Sequence, residues 1–176
     1  MVPLESVGDS SPELDPDADP LEVAKAICLR MLTARPCSRG EIAKGLARRG
    51  VAPNVAQEAI GRLADVGLID DAEYASSWVR SRQGRRGLAR RALAAELRQR
   101  GVPDEEARAA VEQITDDVEL DTARDLVARK LRTMRGVSHE ARVRRLIGML
   151  ARKGYSATLA HDVVREALGA GAAPRY

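Results

Sequence analysis

The feature that most constrains the fold of this chain is an internal repeat, in which two aliphatic residues four positions apart precede a glycine. It occurs three times, as Ile42-xxx-Leu46-xxx-Gly50, Leu93-xxx-Leu97-xxx-Gly101 and Leu146-xxx-Leu150-xxx-Gly154. An alanine follows each glycine by six residues and a β-branched residue follows it by ten: Ala56, Ala107 and Ala160, then Ile60, Val111 and Val164. Glycines 51 and 53 residues apart with matching flanks are typical of tandem repeats.

Each of these glycines is predicted to end a helix, because glycine adopts the left-handed backbone conformation without a Cβ penalty. With Gly50 just past a helix end, Leu46 and Val51 occupy the two positions that touch in a Schellman motif, and the other repeats supply the same pair. Helix starts are predicted at three groups of capping residues: a capping box at 38–41, Pro103-Asp104, and Ser156.

The apolar residues from Leu21 onward recur every three or four positions, and no alternating strand pattern or Asn-Gly hairpin turn is present. We therefore predict an all-α chain in which each repeat holds three helices. The predicted segments are a disordered acidic, proline-rich tail at 1–20, three-helix units at 21–70, 71–117 and 118–168, and a flexible C-terminus at 169–176. Stacking of such helix-turn-helix-like units predicts an elongated tandem array.

Charge is distributed very unevenly along the chain. Residues 1–23 carry seven acids and no base, so the net charge of +3 leaves +10 on residues 24–176. The tail has too little apolar surface to offset the entropy of ordering it. It is either a solvated leader or an acidic arm that screens a basic body or contacts a basic partner.

Several functional classes are disfavoured. No apolar run approaches the roughly 20 residues of a membrane span, so no membrane association is expected. No secretory leader is apparent, and the cytoplasm is therefore the expected compartment. No glycine-rich loop ends in Gly-Lys-Ser/Thr, which disfavours an autonomous ATPase.

The reactive side chains do not form a convincing catalytic or metal site. Cys28 lies on an apolar helix face and is predicted to be core, whereas Cys37 follows a proline in a turn and is a candidate for exposure. The two histidines, His139 and His161, have no cysteine near them. The cluster around Asp70 is interpreted as a helix cap, with metal binding as the lesser alternative. No catalytic residue, metal or cofactor is predicted.

Arginine-rich stretches provide the strongest indication of function. Residues 80–100 contain eight arginines and one acid, residues 129–153 contain nine bases and one acid, and the densest stretch, 80–87, resembles a loop. Arginine forks bind phosphate and fit acidic protein grooves equally well, although a merely solvated basic face is the plain alternative. The predicted binding residues are Arg80, Arg82, Arg85, Arg86, Arg90, Arg91, Arg98, Arg142, Arg144, Arg145, Arg152 and Lys153. Trp78 is predicted to be core, which leaves little to stack on bases.

Taken in order, the motifs resemble the RecX family. The matching segments are Ser38-Arg-Gly-Glu-Ile-Ala-Lys-Gly-Leu46, Arg49-Gly50-Val51, Leu63-Ala-Asp-Val-Gly-Leu-Ile-Asp-Asp71-x-x-Tyr-Ala75, Trp78-Val79-x-x-Arg82, Gly87 and Leu93-x-x-Glu96-Leu97-x-x-x-Gly101-Val102. The Gly-Leu-Ile-Asp-Asp segment is the most specific element. The third repeat matches only in its Leu-x-x-x-Leu-x-x-x-Gly frame, and the acidic tail lies outside the resemblance.

The resemblance implies a non-enzymatic, all-helical regulator of the RecA recombinase, with roles in homologous recombination, DNA repair and the SOS response. Such proteins bind in the groove of the RecA–DNA filament, limit its growth, and suppress ATP hydrolysis and strand exchange. Direct contact with single- or double-stranded DNA is also implied, and a monomer is expected. The alternatives are a helix-turn-helix-like protein acting on duplex DNA, and a scaffold for another acidic protein; an enzyme is the least favoured.

Overall fold

The computed structural model describes residues 19–169, which form α-helices joined by short turns. The helices are α1 (Pro20–Ala34), α2 (Arg39–Ala47), α3 (Pro53–Asp65), α4 (Asp71–Arg86), α5 (Arg90–Gln99), α6 (Asp104–Glu112), α7 (Asp116–Arg132), α8 (His139–Arg152) and α9 (Ala157–Gly169). No strand occurs in this stretch, so the all-α prediction is confirmed. The predicted acidic tail (except residues 19–20) and the C-terminal segment beyond 169 lie outside the described residues.

The repeated glycines end α2, α5 and α8 in the predicted way. Gly50, Gly101 and Gly154 have φ values of +76°, +75° and +89°. In each turn the residue after the glycine donates its N–H to the carbonyl of the preceding repeat leucine, at 3.2 Å for Val51 and Leu46. The Schellman motif is therefore present in all three repeats, and it explains why the sequence pattern is so regular.

The chain divides into two compact units, of which the first contains α1, α3 and α2 from Ile42 onward. Its core is built from all three helices, with Ile42 and Leu46 of α2 fully buried, and Cys28 is fully buried in it, as predicted. Cys37 is also buried, with only 5% of its surface exposed, so its predicted exposure is wrong. The reason is local: its thiol points back toward the carbonyls of Met31 and Arg35 at the end of α1.

The second unit contains the first turn of α2, Ser38–Glu41, together with α4 to α9. It has two apolar clusters, one formed by α4, α5 and α6 and the other by α7, α8 and α9. The repeat leucines are their centres: Leu93, Leu97, Leu146 and Leu150 are all fully buried. Burying one leucine side chain contributes roughly 1.5–3 kcal/mol, so these positions contribute strongly to the stability of the unit.

The first turn of α2 is held to α4 and α5 by buried polar groups. The Ser38 hydroxyl donates to the Arg100 carbonyl and accepts the Glu41 N–H at 3.1 Å, while the Ser38 N–H donates to the Glu41 carboxylate. The predicted capping box is thereby confirmed. The Arg39 N–H donates to Asp71 Oδ1 at 2.9 Å, and the Arg100 guanidinium pairs with Glu41 at 2.7 Å.

The same arrangement recurs where α5 begins. The Ala89 N–H donates to the Lys153 carbonyl at 2.9 Å, and the Arg90 N–H donates to Glu119 Oε1 at 2.8 Å. At each of the two helix starts, the donors are thus bound by a carbonyl at the end of one helix and by a carboxylate near the start of another. Because both sets of donors lose water on packing, these hydrogen bonds are needed to avoid a desolvation penalty.

Replacing Ser38 with alanine tests this buried cap. We expect a loss of about 2 kcal/mol in the free energy of unfolding, because the cap is lost and the partly buried Arg100 carbonyl loses its hydroxyl donor. Ser138→Ala is the matched control, since Ser138 is an exposed N-cap whose removal costs about 1 kcal/mol. Urea unfolding followed by Trp78 fluorescence measures the free energy of unfolding of both variants. An equal loss in the two would show that the contact of the Ser38 hydroxyl with the Arg100 carbonyl contributes nothing.

Candidate partner-binding surface

The predicted basic residues all lie in the second unit, and the densest of them are helical. Residues 80–86 belong to α4, so the interpretation of 80–87 as a loop is wrong. The helix continues because Gly87, at φ +58°, provides the C-terminal cap and donates its N–H to the Gln83 carbonyl. The arginines of α4 are therefore held on a rigid element.

Five of the twelve predicted residues form ion pairs within the unit. Glu96 is 3.7 Å from Arg82 and 3.2 Å from Arg86. The other pairs are Arg80 with Glu73 at 3.1 Å, Arg98 with Asp104 at 2.6 Å, and Arg90 with Glu119 at 2.9 Å and with Asp116. Among these, Arg90 has a clear structural role, because its own N–H also binds Glu119.

Trp78 lies at the edge of the core and is half-buried, rather than being a fully buried core residue. Its ring is covered by two guanidiniums, with Arg82 at 4.2 Å and Arg100 at 3.7 Å from the ring centroid. Its indole N–H donates to Glu96 at 3.0 Å. Such cation–π contacts contribute about 0.5–2 kcal/mol each, so Arg82 supports the packing of α4 as well as its surface charge.

A second group of cations has no partner within the described residues. Arg144, Arg145 and Arg152 of α8, with Lys130 of α7 and the Met149 side chain, line an open groove of about 590 Å³ that we call the α7–α8 groove. None of its four cationic side chains forms an ion pair or hydrogen bond in the described part of the chain, and no acid is among the lining residues. A surface of this kind repels cations and concentrates anions.

A second depression, the α4–α7 cleft, lies between the end of α4 and the middle of α7. It measures about 760 Å³, and its cationic lining consists of Arg80, Arg85, Arg86, Arg129 and Lys153. Asp125 is the one acid in the lining that the structure describes. The two depressions are lined by residues that are neighbours in the sequence. Arg129 and Lys153 line the α4–α7 cleft, and the adjacent Lys130 and Arg152 line the α7–α8 groove. The sequence prediction omitted Arg129 and Lys130, although both lie in the basic window at 129–153.

Arg91 and Arg142 line neither depression. Arg91 is exposed on α5 and makes no ion pair within the described residues, whereas the Arg142 Nε is buried without a hydrogen-bond partner. The predicted binding residues thus divide into ion-paired arginines, residues in the two depressions that form no ion pair in the described part of the chain, and these two separate positions.

The acidic cluster at 70–73 has a structural role. Asp70 caps α4 by accepting the Glu73 N–H at 3.0 Å, which confirms the capping interpretation. Asp71 is 5% exposed and accepts the Arg39 N–H, and burial raises the pKa of its carboxyl above the ordinary value of 3.8. In the described part of the chain, no three His, Cys, Asp or Glu side chains are grouped to hold a metal ion.

The raised pKa of Asp71 predicts a pH dependence of stability. A carboxyl with a raised folded pKa contributes most stability below its unfolded pKa, and that contribution is lost as pH rises through the folded pKa. The substitution Asp71→Asn keeps an acceptor for the Arg39 N–H but removes the ionisable group. We therefore expect the stability of D71N relative to the parent to increase as the pH rises from below 3.8 toward neutral. Urea unfolding of D71N and of the parent, each below pH 3.8 and near neutral pH, measures this effect. A difference in unfolding free energy between the two proteins that stays constant or decreases as the pH rises would contradict the prediction.

Three comparisons place these features among known proteins. Models of the first, second and third three-helix domains of RecX match residues 24–63, 70–111 and 117–167. The regulatory protein RecX of Streptomyces coelicolor is 52% identical over 154 residues, which is 88% of this chain and 82% of that protein. The regulatory protein RecX of Thermobifida fusca is 53% identical over 147 residues, which is 84% of this chain and 80% of that protein.

Solved structures agree on the fold. A crystal structure of RecX from Lactobacillus salivarius matches with a TM-score of 0.75 at 22% identity, covering 84% of this chain and 96% of that chain. Another, a crystal structure of regulatory protein RecX, matches with a TM-score of 0.74 at 23% identity, covering 84% of this chain and 72% of that chain. None of the helices between residues 19 and 169 has the length and apolar character that a bilayer-spanning helix needs.

Proposed function

The chain belongs to the RecX family, and we propose that it is a non-enzymatic, cytoplasmic regulator that binds RecA filaments as a monomer and inhibits them. The observation that carries the proposal is the α7–α8 groove, whose four cations have no partner in the described residues. We propose that the groove contacts the anionic surface of the filament, which combines acidic protein side chains with DNA phosphates.

The separation of paired from free cations supports this assignment. Exposed ion pairs contribute little to folding, yet a cation already paired within the chain has less to gain from an external anion. The free cations of α8 have no such competition, and they are fixed on a helix that buries Leu146 and Leu150. Because the backbone of α8 is already ordered, binding costs only the rotamer freedom of these side chains, which favours them as the contact residues.

Inhibition follows from occupancy. A protein lodged in the filament groove blocks addition of RecA subunits and restrains the changes between subunits that accompany ATP hydrolysis and strand exchange. Opposite charge on the two surfaces accelerates the encounter and makes it sensitive to salt. No nucleophile or metal is required for this action.

Co-sedimentation with RecA filaments tests the proposal. Filaments are assembled on single-stranded DNA with a non-hydrolysable ATP analogue, and the chain is added at several salt concentrations. We expect it to sediment with filaments and to be released as salt rises. Binding to naked duplex DNA with no added affinity for filaments would instead favour the helix-turn-helix-like alternative, and binding to neither would remove the proposal.

A further inference from the structure

We propose that Lys153 is a site of acylation by small acyl phosphates, which the α4–α7 cleft attracts and its cations hold beside the lysine amine. Lys153 lines this cleft with Arg85 and Arg129, whose side chains form no ion pair in the described residues, and with Arg80 and Arg86, which are already paired with acids. The amine is half-buried and donates to the Arg86 carbonyl at the end of α4. Acyl phosphates are small anions, and a cationic cleft raises their local concentration.

The reaction requires the neutral amine, and the surroundings of Lys153 favour it. Burial lowers the pKa of the Lys153 amine, and the charges of Arg86 and Arg129 lower it further. The facing groups are the cations of α4, Arg129 of α7 and the single acid Asp125. The Nζ lone pair attacks the acyl carbon, the bond from that carbon to the phosphate oxygen breaks, inorganic phosphate leaves, and the amine proton passes to water.

The other three lysines are internal comparators. Lys25 is paired with Glu22 at 2.8 Å, and Lys44 has a partner of its own. Lys130 lies in the α7–α8 groove among arginines, but its amine makes no hydrogen bond to a carbonyl in the described residues and is exposed. Like Lys153, Lys130 lies where cations attract anions, but unlike Lys153 it is not partly buried. A comparison of these two lysines therefore tests the effect of burial separately from that of anion attraction.

Acylation also lowers the positive charge beside the α7–α8 groove, because Lys153 directly follows Arg152 of that groove in the chain, and this consequence rests on the proposed function. The modification removes one positive charge from the cleft and weakens the contact between Lys153 and the Arg86 carbonyl. We expect Lys153→Gln to bind RecA filaments more weakly than the parent does, with a smaller dependence on salt.

The test uses the full, isolated chain incubated with acetyl phosphate, followed by peptide mass spectrometry of all four lysines over time. We expect Lys153 to be acetylated about tenfold faster than Lys25 and faster than Lys130. Arg129→Ala is expected to slow the acetylation of Lys153 without changing that of Lys25. Arg30→Ala, the control, is expected to change the acetylation rate of neither lysine. Modification of Lys153 at the same rate as Lys25, or more slowly than Lys130, would overturn the proposal. The acetylation assay contains no RecA, so its result does not depend on whether the chain binds RecA filaments.

Discussion

Gly101→Ala is expected to destabilise the second unit by about 2–5 kcal/mol, a large effect for a single added methyl group. A left-handed conformation costs a non-glycine residue about 1–2 kcal/mol, and forcing atoms into a packed site costs about 1–3 kcal/mol more. Both apply at Gly101, which has φ +75° and where a Cβ would lie 2.6 Å from the Gly40 Cα. The obstacle is backbone, so no side-chain rotation can relieve it.

Gly136→Ala is the matched control for this prediction. Gly136 has φ +74° and belongs to the same unit, but a Cβ there meets nothing within 4 Å. Gly136→Ala should therefore lower the free energy of unfolding only by the cost of the left-handed conformation, about 1–2 kcal/mol. Trp78 is the single tryptophan and lies in the second unit, so its fluorescence during urea unfolding reports on both variants. Equal losses for the two variants would show that the contact of Gly101 with Gly40 is not tightly packed.

The charge reversal Arg144→Glu/Arg145→Glu is expected to weaken binding to RecA filaments at least about tenfold. Each exposed ion pair contributes up to about 1 kcal/mol, and reversal replaces that attraction with repulsion. Neither arginine has a partner within the described residues, so their replacement leaves the packing of α8 intact. Co-sedimentation at low and high salt measures the loss, which should shrink as salt screens the charges.

Arg30→Glu/Arg48→Glu changes the net charge by the same amount and provides the control. Both arginines are exposed in the first unit, where neither side chain forms an ion pair or hydrogen bond that the structure describes. We expect this variant to bind filaments nearly as well as the parent. If the two variants lose the same affinity, net charge rather than the α7–α8 groove determines binding.

The repeat made the helical fold predictable, because one local rule determines it. A glycine after a leucine-spaced helix favours a Schellman turn through local interactions, and all three turns formed as expected. The position of Cys37 was not predictable in this way. Its burial depends on how the turn after α1 folds back onto carbonyls, which the residue types do not specify.

The binding surface was predictable as a region but not residue by residue. Counting bases found both windows, yet it cannot tell a paired arginine from a free one. Arg90 is paired with Glu119, which is 29 positions away, and only the tertiary fold brings the start of α5 next to the first turn of α7. The α7–α8 groove has the same origin, since Lys130 and Arg144 become neighbours only when α7 and α8 pack.

ATP hydrolysis by the cognate RecA on single-stranded DNA, titrated with this chain, tests the proposed regulation most directly. The DNA is varied at fixed ratios of the two proteins, which separates action on the filament from competition for DNA. We predict inhibition at amounts well below the RecA concentration, unrelieved by additional DNA. Unchanged hydrolysis in the presence of the folded, helical protein would contradict a role as a RecA inhibitor, and inhibition abolished by added DNA would show simple competition for the DNA strand.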